Sequence, residues 1–177
     1  MVLAHKYSTG QLEKDTQYRR SLNEESNEFK EDIYGGTAYK KVASFTKKLG
    51  GSSSLAWADG IQTSKSSMSS ITPLAHVINE LKPAKRFKHD KIILQALWCS
   101  KEPVNYNIMF DKLIPDWIKL REGLPIDYKQ KKIVLRHEII GWILDYVESC
   151  KVKFMKQLIF VDVWIQGIIL PVLYESW

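Results

Sequence analysis

The string KPAKRFKHDK, Lys82 to Lys91, is where residue types and spacing come closest to a binding chemistry. Lys82, Lys85, Arg86, Lys88 and Lys91 crowd positive charge into a short segment, which suits the phosphates of nucleic acid or of lipid headgroups. Lys85-Arg86-Phe87-Lys88 also satisfies the short basic pattern of nuclear import signals, and Phe87 among the charges suits stacking on a base or insertion at a lipid interface. A second basic group, Lys40, Lys41, Lys47 and Lys48, flanks a small apolar stripe made by Tyr39, Val42, Phe45 and Leu49. These two groups form the candidate anionic-partner site. The competing reading is a solvated connector and a solvated helix face.

The placement of charge agrees with that choice. The chain of 177 residues carries a formal charge of +6. Residues 1 to 37 hold five Lys/Arg and seven Asp/Glu (−2), residues 38 to 91 hold ten and three (+7), and residues 92 to 177 hold eleven and ten (+1). The excess therefore sits in one middle segment.

Catalytic chemistry finds less support. The chain contains no GxxxxGK[ST], no GxGxxG, no HExxH, no GxSxG and no metal-type spacing of Cys and His, so no catalytic residue, cofactor or metal ligand is assigned. His137 and Asp145 are the nearest thing to an acid–base pair. On a helix they would stand about 12 Å apart along the axis, too far to act on one atom. Cys99 and Cys150 sit in or beside apolar runs, as buried free thiols of a reducing compartment do. The N-terminus lacks the apolar stretch of a signal peptide, and the most hydrophobic run, Leu158 to Tyr174, is short for a span and carries Asp162. The expectation is an intracellular protein, cytoplasmic with access to the nucleus and to the inner face of a membrane.

The element that must organise these residues is the stretch Asp127 to Cys150, which the sequence predicts as one long amphipathic helix. Asp127 and Gln130 form a capping-box pattern, and Ile133, Ile140, Ile143, Leu144 and Val147 recur near the helical period, with Trp142 on the same buried face. Lys129, Lys131, Lys132 and Arg136 fall on its other side. Thr72-Pro73 followed by Leu74, Val77, Ile78 and Leu81 predicts another helix, and Ile92 to Cys99 leans the same way. Asn105 to Leu113, with Ile108, Met109 and Leu113 on one face, reads as a short helix, and Pro115 restarts a turn from which a second short helix runs to Gly123, a C-cap followed by Pro125. The last apolar run reads as a short C-terminal β-hairpin, with a buried helix as the rival.

Ahead of residue 72 the chain reads as an arm. Residues 8 to 32 can form a helix with too few apolar residues to bury, Thr37 to Leu49 a short basic helix stopped by Gly50-Gly51, and Ser52 to Ser70 a serine-rich linker. The expected fold is α+β: a mainly helical compact domain over 72–177, preceded by a flexible basic N-terminal region over 1–71. Such a chain suits a non-enzymatic structural or adaptor protein that binds nucleoprotein or an acidic membrane, contacts protein partners and self-associates. A viral matrix-type protein is of this physical type. The alternatives are a nuclear nucleic-acid-associated subunit and an enzyme without a recognisable motif.

Overall fold

The computed structural model describes residues 3, 5–6, 11–25, 31–62 and 70–144. Over these the protein is mixed α/β, built on a twisted sheet, and the expectation of a mainly helical domain is corrected. In chain order the elements are α1 (Gln11–Ser21), a 3-10 turn (Ile33–Gly35), α2 (Thr37–Thr46), β1 (Gly51–Ala58), β2 (Ile61–Gln62), β3 (Ser70–Ile78), α3 (Pro83–Arg86), a second 3-10 turn (His89–Lys91), β4 (Ile93–Ser100), α4 (Tyr106–Glu122), β5 (Leu124–Tyr128) and β6 (Lys131–Ile143). The expected C-terminal hairpin, Cys150, Asp145 and Val147 lie outside the described residues.

The sheet runs β4-β3-β1-β6-β5. β1 lies antiparallel to β3 and parallel to β6, and β2 extends the line of β1 along the same edge of β3. The stretch expected as the principal helix is instead the β5–β6 hairpin, paired from Leu124↔Leu135 to Tyr128↔Lys131. Its turn residues, Lys129 and Gln130, have φ of 45° and 64°, the left-handed pair that a two-residue hairpin turn requires. Asp127 is therefore a residue of β5, paired with Lys132, and Gln130 belongs to the turn, so their resemblance to a capping box is accidental.

The serine-rich stretch is not a linker where it is described. Ser52, Ser53 and Ser54 are fully buried in β1, the strand between β3 and β6, and the expected domain boundary after residue 71 falls inside β3. Pro73 is tolerated there for a geometric reason. The last β1 pair is Ala58↔Leu74 and the first β2 pair is Ile61↔Ile71, so on that side Pro73 lies opposite the Asp59-Gly60 break, while on the other it stands opposite Leu97 of β4. Ile93 to Ser100 is likewise a strand, β4, and Cys99 on it is exposed, not buried.

Three stretches expected as helical are helical, although the two short helices expected over 105–123 are one, α4, which runs through Pro115. α4 is capped by Asn105, whose side chain accepts from the Ile108 amide, and ends at Gly123 with φ of 115°. α2 spans Thr37–Thr46 and turns into β1 through Gly50 (φ 84°) and Gly51, where a Cβ would lie 1.8 Å from the Phe45 carbonyl oxygen. α1 is shorter than expected and docks through Arg19, which is almost wholly buried.

Helices cover both faces of the sheet. Under α4, Tyr106, Met109 and Phe110 pack on Ala56, Leu74 and Trp142. Trp142 is buried as expected, but from a strand, with its ring 5.6 Å from Phe110 and 6.1 Å from Trp117. On the opposite face Tyr34, Tyr39 and Val42 pack on Ile140.

Candidate anionic-partner surface

The connector from Lys82 to Lys91 is held by its one arginine. The Arg86 guanidinium donates to both carboxylate oxygens of Asp32, at 2.9 and 2.8 Å, and to the Asn79 carbonyl at 2.7 Å. Arg86 is 5% exposed and lies 5.8 Å from the Tyr34 ring centroid. Burial alone would lower the pKa of the guanidinium, but the Asp32 carboxylate outweighs it and raises the value. Asp32 also accepts from the Ile33 amide, so a single carboxylate caps the 3-10 turn and fixes α3.

This anchor decides how the rest of the string is displayed. With Arg86 turned inward, Lys85, Phe87 and Lys88 point outward, and Phe87 is 59% exposed. Lys82 is also exposed, its ammonium 5.9 Å from the Tyr18 ring centroid. Lys91 is different. Its side chain is 14% exposed and its ammonium lies 3.2 Å from Asp90, so little of it is presented.

The second basic group stands on the same side of the sheet. Lys40 and Lys41 lie exposed on α2, and Lys47 and Lys48 follow it, Lys47 in an ion pair with Glu24. α2 meets the first 3-10 turn through the edge-to-face pair of Tyr34 and Tyr39, 4.9 Å apart, Arg86 of the connector lies beside the Tyr34 ring, and Arg19 donates to the Tyr39 hydroxyl at 3.0 Å. Tyr34 in turn donates to the Asn79 carbonyl at 2.6 Å. Burial raises the pKa of both tyrosines, so both hydroxyls remain donors.

A third basic feature is one that sequence reasoning placed on a helix. Lys129, Lys131 and Lys132 are exposed at the β5–β6 turn, with the Lys129 ammonium 5.0 Å from the Tyr128 ring centroid. The missed signal was the β-branched content of Ile133, Val134, Ile139 and Ile140, which favours strand. Asp32 and Tyr34, which position the connector, had no signal in the sequence because their partners lie far along the chain.

The polar groups inside the sheet pair with one another. Ser53 donates from its amide and its hydroxyl to Glu80, both at 2.8 Å, and the Asn79 amide donates to Ser53 Oγ at 3.0 Å. Burial outweighs these bonds and raises the Glu80 pKa to about 7. On the other face of β1, Ser52 and Ser54 flank His137, and Ser54 reaches His76. His137 thus sits among serines; Asp145, its expected distant neighbour, lies outside the described residues. The hydroxyls of Ser52 and Ser54 are enclosed in the sheet, where no substrate carbonyl could approach them.

Among the described residues no cluster of three His, Cys, Asp or Glu side chains could hold a metal ion, and no helix is long and apolar enough to cross a membrane. Comparison with protein-family models, with curated proteins and with solved structures finds no match to this chain.

Proposed function

We propose that the protein is a non-enzymatic adaptor that binds an anionic surface, nucleoprotein or acidic membrane, of matrix-like physical type. The observation that carries this reading is the anchored connector. A buried bidentate ion pair holds the main chain at Arg86 and presents Lys85, Phe87 and Lys88 to solvent in one fixed arrangement. A solvated linker has no need of such an anchor, whereas a contact surface gains by having its side chains ordered in advance. Exposed lysines attract phosphates, and an exposed aromatic between them adds stacking or insertion. The exposed lysines of α2 and of the hairpin turn add further positive charge to the protein.

The test is flotation with acidic liposomes set beside a titration with single-stranded RNA, both at low salt on one purified sample. Binding to either, weakened by Phe87→Ala, supports the reading. RNA binding without any preference for acidic lipid moves it to a nucleic-acid-associated subunit. Binding to neither overturns it.

A further inference from the structure

A cleft of about 400 Å³ opens between β4 and α4, walled by Leu3, Ile93, Leu94, Leu113, Trp117 and Leu120, and lined also by His76. The His76 imidazole is fully buried and belongs to a chain of four side chains. Its Nδ1 lies 3.0 Å from Ser54 Oγ, which lies 3.0 Å from His137 Nε2, while His137 Nδ1 lies 2.9 Å from Ser52 Oγ. Only His76 Nε2, at the end of this chain, is buried without a partner.

Counting protons along the chain fixes what that atom offers. Burial, helped by Lys6, lowers the His76 pKa to about 4, and burial with the neighbouring His76 lowers that of His137 well below its ordinary value, so both rings are neutral at physiological pH. Each ring then carries one N–H. If Ser52 donates to His137 Nδ1, then His137 Nε2–H donates to Ser54 and Ser54 donates to His76 Nδ1, and every bond is made. The proton of His76 is left on Nε2. The reverse direction makes the same three bonds but leaves the buried Ser52 hydroxyl proton without an acceptor in this chain as well as His76 Nε2 without a donor, so it strands one more polar group.

We propose that this cleft binds a medium-chain aliphatic molecule ending in a neutral carbonyl, whose oxygen accepts from His76 Nε2–H while the chain lies along Leu113, Trp117 and Leu120. The volume suits such a chain, since ligand clefts begin at about 300 Å³ and are walled mainly by apolar groups with a few placed polar ones. The acceptor supplies the one bond that the buried chain lacks. A carboxylate is disfavoured, because a neutral ring offers no charge to offset its loss of water and Asp116 lines the same cleft. Nε2 is shielded from solvent, so an entering chain must shift a neighbour. Leu3 is the wall residue that belongs to neither the sheet nor α4.

The test is long-range 1H–15N spectroscopy of the full chain labelled at histidine, titrated with 2-nonanone. The free protein should show His76 and His137 as Nε2–H tautomers, and the ketone should shift His76 Nε2 saturably while leaving the exposed His89 unmoved. Leu94→Trp, a substitution at a half-exposed wall position, should weaken the ketone at least about 10-fold, and Leu113→Trp serves if the first variant does not fold. Decanoate should bind more weakly than the ketone. An Nδ1–H tautomer at His76, no saturable shift up to the solubility of the ketone, a shift that survives in the folded wall variant, or tighter binding of decanoate would each overturn the proposal.

Discussion

Replacing Arg86 by alanine separates an anchored connector from a solvated one. The change removes a buried guanidinium and leaves Asp32 with its carboxylate 12% exposed and the Asn79 carbonyl without its short bond. Breaking a buried ion pair from one side costs about 3–5 kcal/mol. Asp32 keeps the Ile33 amide and some contact with water, so the lower end, about 3 kcal/mol, applies. With a urea m-value of about 2 kcal/mol/M, the midpoint should fall by about 1.5 M. Urea unfolding followed by circular dichroism reads this directly. Arg86→Lys keeps the charge but loses the fork, so it should recover only part of the loss. By contrast Lys85→Ala and Lys88→Ala should each stay within about 0.5 kcal/mol of the parent, as exposed positions do. An Arg86→Ala midpoint equal to the parent's would refute the anchor, and with it the argument that the string is held for contact.

Trp142→Ala removes a ring packed on Phe110 and Trp117 and should cost about 3–5 kcal/mol, read as a fall in melting temperature. Glu80 has its pKa raised to about 7 from 4.5, so its contribution to stability is full below pH 4.5 and is lost as pH rises to about 7. His76, lowered to about 4, contributes the opposite slope, its stability absent at pH 4 and regained by about 6.5. Glu80→Gln should therefore become more stable than the parent with rising pH, by up to about 3 kcal/mol between pH 5 and 8, and a constant difference across that range would contradict the assignment. Gln130→Gly relieves a left-handed residue with a side chain and should raise stability by about 0.5–1 kcal/mol, unless the hairpin turn is misplaced.

The helices were legible where their caps were. Gly123 ends α4 as its cap, whereas α2 already ends at Thr46 and Gly50-Gly51 turn the chain from it into β1. The sheet was not legible, because its long strands β3 and β6 bury residues on both faces. β6 buries Leu135 and His137 and then Ile140, Gly141 and Trp142, and β3 buries six of its nine residues, so neither strand alternates cleanly between apolar and polar. Without alternation, apolar spacings near 3.6 looked helical. The serines of β1 looked like a linker for a related reason. Composition does not reveal that Ser52, Ser53 and Ser54 each find a buried partner in His137, Glu80 or His76. Of the candidate site, the exposure of Lys40, Lys41, Lys48, Lys85 and Lys88 followed from charge alone, whereas the inward turn of Arg86 depends on Asp32, 54 residues away.

The central claim is that the exposed lysines beside Arg86 contact phosphates, and the salt dependence of binding in Lys85→Ala/Lys88→Ala tests it most directly. Each contact that neutralises a phosphate of a single strand contributes about 0.7 to the slope of log affinity against log salt, so losing two should flatten the slope for single-stranded RNA by about 1.4. On acidic liposomes the same variant should bind more weakly and lose less of its binding as salt is raised. Arg86 is left in place, so the urea midpoint should be unchanged. A parent that binds with a steep slope and a folded variant with the flatter slope is the result the account predicts; the same slope and affinity in both proteins would contradict it.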